Sequence, residues 1–491
     1  MHKTIHTFQK VIQALLCGLF LSFCGSVSAS AAEKPNILFI FADDQCYDTI
    51  HALGKDEIET PHLDKLVKNG TVFTHTYNMG GWSGAICAAS RGMIICGEFL
   101  WHAHKAPIQT DYVAEKKLWP QLLETSGYET YFSGKWHIKA PAEKTFMTAR
   151  NIRPGMPNQT KEGYNRPING LPDPWDPSDP KFEGFWKGGK HWSAVLADDG
   201  VEYLGRAAQQ DAPFFMYLAF NAPHDPRQSP KEYVDKYPLK NVDVPEGWLS
   251  EYPYGEKMGA GRKLRDEKLA PYPRTENSIK VNRQEYYAII THMDTQVGRI
   301  LDALKASGKE DNTYIFFSAD HGLSVGHHGL LGKQNMYDHS IRVPFIVNGP
   351  NIPKNKKISE PIYLQDVMAT SLELAGIEKP ERVQFNSVMP LIDGRATKSP
   401  YKAIYGGYTS TQRAVIQNDH KLILYPKVPK ARLFDLKADP KELKDLADDA
   451  SQKQRMQKLF KALLELQKEN GDTLDLKAVY PELAGSSAAN Q

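Results

Sequence analysis

Three apolar runs, each ending in polar residues, constrain the fold of this chain most strongly. The runs and the residues that follow them are 36–42 before Asp43-Asp44, 213–220 before Pro223-His224, and 313–319 before Asp320-His321. Unbroken apolar runs of this length are typical of strands buried on both faces of a parallel sheet. Ligands of open α/β sheets bind at the carboxyl ends of the strands. The sequence therefore predicts a parallel sheet with a functional site at one edge.

Helical patterns alternate with these strands, at 60–69 and 285–306. The fold class is therefore α/β, with a mainly parallel sheet flanked by helices. The segments 151–190 and 226–280 are rich in polar residues and lack a sustained period, so we expect long surface loops there.

The pattern changes after about Arg395. Short strands at 402–405 and 421–425 precede a helix that contains Met456 and Leu459. We expect a catalytic domain at 32–395 and a smaller C-terminal α+β domain at 396–491.

The first 31 residues are typical of a secretion signal. Lys3 and Lys10 precede an apolar run at 11–23, and Ala29-Ser30-Ala31 supplies a small-x-small cleavage pattern. The run is short for a bilayer span, so we expect a cleaved signal peptide, no membrane span, and a periplasmic or secreted protein. Acylation at Cys24, as in a lipoprotein, is disfavoured by the bulky Phe23 before it.

Charge and cysteine content narrow the function further. Lys+Arg number 60 and Asp+Glu 58, for a net charge of +2, so the overall charge gives no electrostatic attraction to nucleic acid.

Only three cysteines remain after the signal: Cys46, Cys87 and Cys96. An odd number of cysteines in an exported chain is a reason to look for a reactive thiol. Pairing of Cys46 with Cys96 cannot be assigned without geometry.

The polar residues at the predicted sheet edge suit a hard cation and an anion. Asp43, Asp44 and Asp320 offer oxygen ligands, which favour Ca²⁺ or Mg²⁺ over Zn²⁺. A single aspartate is more often a helix cap, but an adjacent buried pair requires a cation. Lysine recognises oxyanions and histidine transfers protons near neutral pH. The segments that supply these groups are Gly134-Lys135-Trp136-His137, Gly326-His327-His328-Gly329 and Gly332-Lys333.

With these motifs assembled, the mature chain resembles the formylglycine-dependent sulfatases of the alkaline phosphatase-like superfamily along nearly its whole length. The matching segments are Pro35-Asn36-Ile37 through Asp43-Asp44, Cys87-Ala88-Ala89-Ser90-Arg91, Gly134-Lys135-Trp136-His137, Pro223-His224, Asp320-His321-Gly322, Gly332-Lys333 and Leu433-Phe434-Asp435-Leu436. Two positions depart from the pattern. Ala89 stands where most members have proline, although a subset is similar in having alanine, and His321 stands where many members have asparagine.

The resemblance implies that a separate maturation enzyme oxidises Cys87 to formylglycine (3-oxoalanine). One hydroxyl of the hydrated aldehyde attacks sulfur, and the other then expels sulfate. The resemblance also implies site residues: Asp43, Asp44, Cys87, Asp320 and His321 around Ca²⁺, favoured over Mg²⁺; Arg91 holding the diol; Lys135 and Lys333 on sulfate oxygens; His137 on the diol proton; and His224 on the leaving oxygen.

The expected substrate is a sulfated polysaccharide or oligosaccharide, such as an algal galactan like carrageenan or a glycosaminoglycan. Trp175, Trp186, Trp192 and Trp248 either stack on sugars or anchor long loops. Further anion contacts could come from His102, His104, His191, Arg227 and Arg262. Two alternatives stay open: a phosphodiesterase or phosphonate hydrolase of the same superfamily, and a non-catalytic glycan-binding protein.

Overall fold

The structure is a computed structural model that describes residues 33–54 and 57–485. The predicted signal peptide, 1–31, lies outside the described residues. Among the residues that are described, no helix is long and apolar enough to cross a bilayer.

The strands are numbered here in chain order. They are β1 (Asn36–Ala42), β2 (Thr71–Phe73), β3 (Thr76–Tyr77), β4 (Gly80–Gly81), β5 (Glu129–Lys135), β6 (Thr148–Arg153), β7 (Trp186–Lys187), β8 (Lys190–His191), β9 (Phe214–Ala219), β10 (Thr313–Ala319), β11 (Arg342–Val343), β12 (Phe345–Asn348), β13 (Lys356–Ile358), β14 (Ile362–Tyr363), β15 (Ile404–Tyr408), β16 (Gln412–Gln417), β17 (His420–Tyr425) and β18 (Lys430–Asp435).

The α-helices are numbered in the same way. They are α1 (Pro61–Asn69), α2 (Ile86–Cys96), α3 (Leu100–Lys105), α4 (Asp111–Ala114), α5 (Trp119–Glu124), α6 (Trp192–Ala207), α7 (Lys231–Val234), α8 (Gly255–Met258), α9 (Glu276–Ala306), α10 (Asp338–Ile341), α11 (Asp366–Leu374), α12 (Met389–Asp393), α13 (Lys453–Glu469) and α14 (Leu476–Val479).

The large sheet has the strand order β13-β2-β12-β10-β1-β9-β5-β6. Strand β1 pairs in parallel with both β9 and β10, and β5 pairs in parallel with β9 and β6. Only β12 runs antiparallel to its neighbours in this sheet, as far as the described residues extend. Every residue of β1, β9 and β10 is buried, as their apolar sequences predict. The predicted α/β class with a mainly parallel sheet is confirmed.

This topology brings the predicted polar groups to one edge. Because β1, β5, β9 and β10 are parallel, their carboxyl ends lie on the same side of the sheet. Asp43, Lys135, Phe220 and Asp320 stand at or just after those four ends. The three apolar runs thus position groups that are far apart in sequence.

A smaller sheet lies in the C-terminal part of the chain, with the order β18-β17-β16-β15-β4. Strands β15 to β18 form an antiparallel meander, and α13 packs on it with Leu459, Phe460 and Leu463 buried. The fifth strand, β4, comes from residues 80–81 and pairs in parallel with β15. The predicted smaller α+β element is confirmed, and the boundary at residue 395 stays a prediction.

The first segment predicted as a surface loop is largely irregular, with two short 3-10 helices between the end of β6 at Arg153 and the start of β7 at Trp186. The second segment differs from that expectation, because α7, α8 and the start of α9 lie in it. The second segment also contains buried charged side chains, including Arg227, Asp266, Glu267 and Arg274. Asp266, Glu267 and Arg274 are offset by ion pairs and backbone carbonyls, so their burial is possible without an apolar sequence. Arg227 bonds Asn282, and two of its buried nitrogens have no hydrogen-bond partner in the described structure.

Candidate active site

Cys87 is the second residue of α2 and is only 2% exposed. The preceding segment is fixed by β4, where Gly80 has φ +96°. A Cβ atom on Gly80 would lie 2.1 Å from the carbonyl oxygen of Gly407, so glycine is required for the β4–β15 approach. The C-terminal sheet therefore anchors the segment that carries Cys87. Ala89 is fully buried in the same helix.

Four predicted metal ligands meet at the sheet edge. Ligand atoms of Asp43, Asp44, Cys87 and His321 all lie within 4.8 Å of one another, and all four residues are buried. Asp44 has φ +71°, a left-handed backbone that turns the chain immediately after β1. The arrangement satisfies the first requirement of a metal centre, which is convergence of ligand atoms.

Asp320, the fifth predicted metal ligand, lies beside these four and is held by hydrogen bonds. Its Oδ1 accepts from the backbone N–H of Asp44 at 3.2 Å and of His321 at 3.0 Å. Its Oδ2 accepts from Arg91 Nε at 3.0 Å. Burial raises the pKa of Asp320, but His321 and Arg91 outweigh it, so the pKa is held below the ordinary value. Asp320 thus stays ionised in the protein interior.

Asp43 indicates that the cluster fits a cation. Its Oδ1 is buried and has no hydrogen-bond partner within residues 33–54 and 57–485, although Arg91 Nη2 lies 3.8 Å away, whereas Oδ2 pairs with Lys135. Burial, followed by the charge of Asp320, raises the pKa of Asp43 well above its ordinary value. A buried carboxylate in this condition requires a further positive charge or a proton. The mainly oxygen donor set suits Ca²⁺ or Mg²⁺.

Two lysines complete the charge balance of the site. Lys333 Nζ donates to both oxygens of Asp44, at 2.8 and 2.9 Å, and Lys135 pairs with Asp43. Both lysines are at most 2% exposed. Burial lowers the pKa of Lys333, but Asp44, Cys87, Asp266 and Asp43 together outweigh burial and raise that pKa well above its ordinary value. Lys333 therefore keeps its charge inside the protein.

The surroundings of Cys87 favour an anion at this position. Burial raises the pKa of its thiol, but Lys135, Lys333 and His321 outweigh burial and hold the pKa well below its ordinary value. His321 Nε2 is 3.4 Å from the sulfur. A site that stabilises a thiolate also stabilises an oxyanion there.

His137 faces the same position. Burial is the main cause that lowers the pKa of its ring, and the neighbouring Cys87 side chain opposes this. A Cβ on Gly155 would lie 2.2 Å from Nε2 of His137, so a glycine there leaves room for the ring. A histidine whose pKa is lowered is neutral near pH 7 and can accept a proton.

His224 also lies near Asp44. Its Nε2 is 3.9 Å from Asp44 Oδ2, and its Nδ1 is 2.7 Å from the backbone oxygen of Asp225. The Nδ1 contact orients the ring, so Nε2 is the nitrogen that faces the site. All ten predicted site residues are thus brought to one edge of the sheet.

A second set of charged side chains, which the sequence did not predict, lies beside the ten predicted site residues. Asp225 pairs with Arg265, Arg265 pairs with Asp266, and Asp266 lies 3.9 Å from Lys333. Asp225 adjoins the predicted His224, which was a usable signal. Arg265 and Asp266 lie in the segment predicted as a surface loop, and no local pattern identifies them.

The tryptophans predicted to stack on sugars or to anchor loops pack against the protein. Trp175 lies 4.6 Å from Phe182 between ring centroids, and the guanidinium of Arg153 lies 4.1 Å from the centroid of Trp192. Trp248 packs against a buried cluster of Leu269, Ala270, Ile279 and Leu331, and Trp186 lies edge-on to His191 with ring centroids 5.4 Å apart. These contacts correspond to the loop-anchoring alternative.

The other predicted anion contacts already have partners in the protein. His102 bonds Gln384, His191 bonds the carbonyl of Gln228, Arg227 bonds Asn282, Arg262 pairs with Glu251, and His104 stacks on Trp82. Cys46 and Cys96 are free and buried in the described part of the chain, so they do not pair there.

Comparison with protein families gives an independent assignment. The family model described as Sulfatase matches residues 35–377, and the one described as N-sulphoglucosamine sulphohydrolase, C-terminal, matches residues 326–469. Together they extend over the large sheet and the C-terminal sheet.

Individual relatives agree with the family match. An arylsulfatase of Clostridium perfringens is 28% identical, with 88% of this chain and 94% of the relative covered. An N-acetylglucosamine-6-O-sulfatase of Bacteroides thetaiotaomicron is 25% identical, with 93% and 90% covered. A structure solved in complex with its substrate D-glucosamine-2-N,6-O-disulfate has a TM-score of 0.70 at 22% identity, covering 90% of this chain and all of the other. The chain therefore belongs to the sulfatase family and is a sulfuric ester hydrolase.

Proposed function

We propose that this protein is an exported sulfatase that removes sulfate esters from a sulfated glycan. In this proposal Cys87 is converted to formylglycine and the carboxylate cluster binds Ca²⁺. The observation that carries the proposal is the position of Cys87: it lies among three cationic side chains and next to a buried cluster of carboxylates. An unmodified structural cysteine gains nothing from these neighbours.

Asp43, Asp44, His321 and residue 87 would hold the metal, with Asp320 beside them. A bound divalent cation would supply positive charge that favours an ionised oxygen at residue 87. Ca²⁺ is favoured over Mg²⁺ because the ligands come from several separate segments, and Ca²⁺ accepts irregular oxygen sets more readily.

As formylglycine hydrate, residue 87 would supply the nucleophile and a built-in route for sulfate release. Arg91 would hold this group. Its guanidinium is fixed by Asp320 and by the carbonyl of Lys135, at 3.0 and 2.7 Å, and one buried nitrogen, Nη2, has no hydrogen-bond partner in the described structure. A fixed, permanently charged donor orients an oxyanion without reorganising.

Lys135 and Lys333 would bind the sulfate oxygens. Both are buried near Cys87, so their charges act with little screening by water. His137 would accept a proton at residue 87, and His224 would donate one to the leaving oxygen. The two histidines face different partners, Cys87 for His137 and Asp44 for His224, which suits two separate proton transfers.

A sulfated amino sugar is the favoured substrate class within the broader group of sulfated glycans. The support is the likeness to an N-acetylglucosamine-6-O-sulfatase and the match of the C-terminal region to a sulphoglucosamine sulphohydrolase family. The galactans named above remain part of the proposal at the level of sulfated polysaccharides. Export and the maturation enzyme follow from the signal-like N-terminus and the modification.

The test is the mass of the peptide that spans Cys87, from protein produced with a competent maturation enzyme. The proposal requires a peptide that has lost H₂S and gained one oxygen, or the hydrate of that product. The same preparation should release sulfate from 6-sulfated N-acetylglucosamine and act poorly on a matched phosphonate ester. An unmodified thiol in active protein would contradict the mechanism, and a preference for the phosphonate would favour the phosphonate hydrolase alternative.

A further inference from the structure

A small cavity lies where β5, β6 and the start of α6 meet. Residues after β9 complete its wall, and the space open to the centre of a water molecule is about 10 Å³. That volume is close to the minimum that holds one water. Only a single atom or a water-sized molecule fits, so sulfate and carboxylate groups are excluded by size.

Three hydrogen-bond donors on residues that line the cavity lack a partner. Arg153 Nη2, Trp192 Nε1 and Ser193 Oγ are buried and have no hydrogen-bond partner anywhere in residues 33–54 and 57–485. The guanidinium and indole nitrogens can only donate. Ser193 is 2% exposed, so its hydroxyl is shielded from bulk solvent. The occupant must therefore accept hydrogen bonds.

The cavity also carries positive charge without a close counter-charge. The carboxylate that acts on Arg153 is Asp199, but its oxygens already accept from Ser133 Oγ at 2.5 Å and from Asn151 Nδ2 at 2.8 and 2.9 Å. No carboxylate lies within 4.0 Å of the Arg153 guanidinium among the described residues, and the guanidinium stacks on the Trp192 ring, 4.1 Å from its centroid. A ring face offsets only part of a full charge. Burial lowers the pKa of Arg153, and Asp199 only partly opposes this.

The helix beside the cavity adds to the positive electrostatic potential that Arg153 creates there. Trp192 and Ser193 are the first two residues of the 16-residue helix α6. The positive end of the helix dipole therefore points toward the cavity.

We propose that this cavity binds one monatomic anion, chloride in a physiological medium, through Arg153, Trp192 and Ser193. Water accepts two hydrogen bonds and leaves the guanidinium charge uncompensated, whereas chloride accepts from all three donors and neutralises the charge. The anion would join β6 to α6 beneath the end of β5. Gly134 borders the cavity, and the backbone N–H of Trp136 donates to the carbonyl of Arg153 at 3.3 Å. The bound anion would thus stabilise the position of the end of β5, which carries Lys135.

Bromide diffraction tests the assignment directly. Crystals of the full chain grown without halide are soaked in sodium bromide, and data are collected at the bromine absorption edge. We expect an anomalous peak at hydrogen-bond distance from the three donors. Density without anomalous signal identifies water and overturns the proposal, as does a cavity closed by an Arg153–Asp199 contact.

Thermal unfolding in solution provides the second test. Wild-type Tm should be higher in sodium chloride than in sodium gluconate of equal ionic strength, and the difference should grow with the logarithm of chloride concentration. Arg153→Gln and Ser193→Ala should lose this difference. Arg150→Gln is the matched control, because Arg150 lies on the same strand but pairs with Glu202 at the surface. Equal chloride shifts in all four proteins, or none in the wild type, would overturn the proposal. Neither readout depends on sulfatase activity.

Discussion

Lys333 and Asp44 form a buried ion pair in which one ammonium group contacts both carboxylate oxygens, at 2.8 and 2.9 Å. The pair joins the end of β1 to a segment almost 290 residues later. The same carboxylate is a candidate metal ligand. Lys333 therefore stands where the metal charge and the sulfate charge would meet.

Replacing Lys333 tests its role on the sulfate oxygens. Lys333→Ala should lower kcat/KM for a sulfate ester by about 10²- to 10³-fold, as for loss of one oxyanion donor. Lys357→Ala is the control, because that lysine is exposed on β13. Steady-state kinetics on both variants, with circular dichroism to check folding, measures the effect. Comparable kcat/KM values for the two folded variants would contradict the assignment.

The role of His224 can be separated from that of the other groups by changing the leaving group. His224→Ala should lower kcat on a sugar sulfate by roughly 10²- to 10⁴-fold, the usual contribution of an acid catalyst. The loss should be much smaller on an aryl sulfate, because a phenolate departs without a proton. Equal losses on both substrates would assign His224 to binding or structure instead.

Calcium binding should be visible without any activity measurement. Ca²⁺ should raise the Tm of the wild type after EGTA treatment, because a ligand of the folded state stabilises it by mass action. Asp43→Asn should lose most of this shift, since the amide removes one negative charge from the cluster. Mg²⁺ at the same concentration should give a smaller shift. An equal or larger shift with Mg²⁺ would reassign the metal.

Much of the architecture was predictable because it depends on local pattern. The apolar runs of β1 and β10 match the strand bounds, and the run at 213–220 exceeds β9 by one residue at each end. Parallel pairing then places their polar ends together. Helix α9 begins at Glu276, nine residues before the predicted start, since polar residues in its first turns hide the period.

Other features depend on long-range packing that no local pattern encodes. Strand β4 is two glycines, and only its pairing with Gly407 and Tyr408 makes it a strand. The Asp225–Arg265–Asp266 set is a network of buried ion pairs within a polar segment that resembles a loop. Burial of charges depends on their partners, and partners distant in sequence cannot be read from composition.

Asp366 gives a stability prediction that is independent of the active site. Its buried carboxylate accepts from the hydroxyl of Tyr401 at 2.5 Å and from the backbone N–H groups of Tyr363 and Asn386 at 3.0 and 2.9 Å. Burial is the main cause that raises its pKa from 3.8 to about 7, and the hydrogen bonds oppose the rise. Between about pH 4 and pH 7 the folded state therefore holds a proton that the unfolded state has released.

The proton that Asp366 holds only in the folded state determines how stability changes with pH. Because the folded state binds more protons in this window, the contribution of Asp366 to the free energy of unfolding falls as pH rises from about 4 to about 7. Asp366→Asn stays uncharged, so the stability of the wild type relative to this variant should fall by roughly 3 kcal/mol between pH 5 and pH 8. Urea denaturation at both pH values measures the change, and any constant packing difference cancels. Asp311→Asn, at an exposed position, should track the wild type at both pH values. A pH-independent difference for Asp366→Asn would mean that the carboxyl group is not protonated in the folded protein.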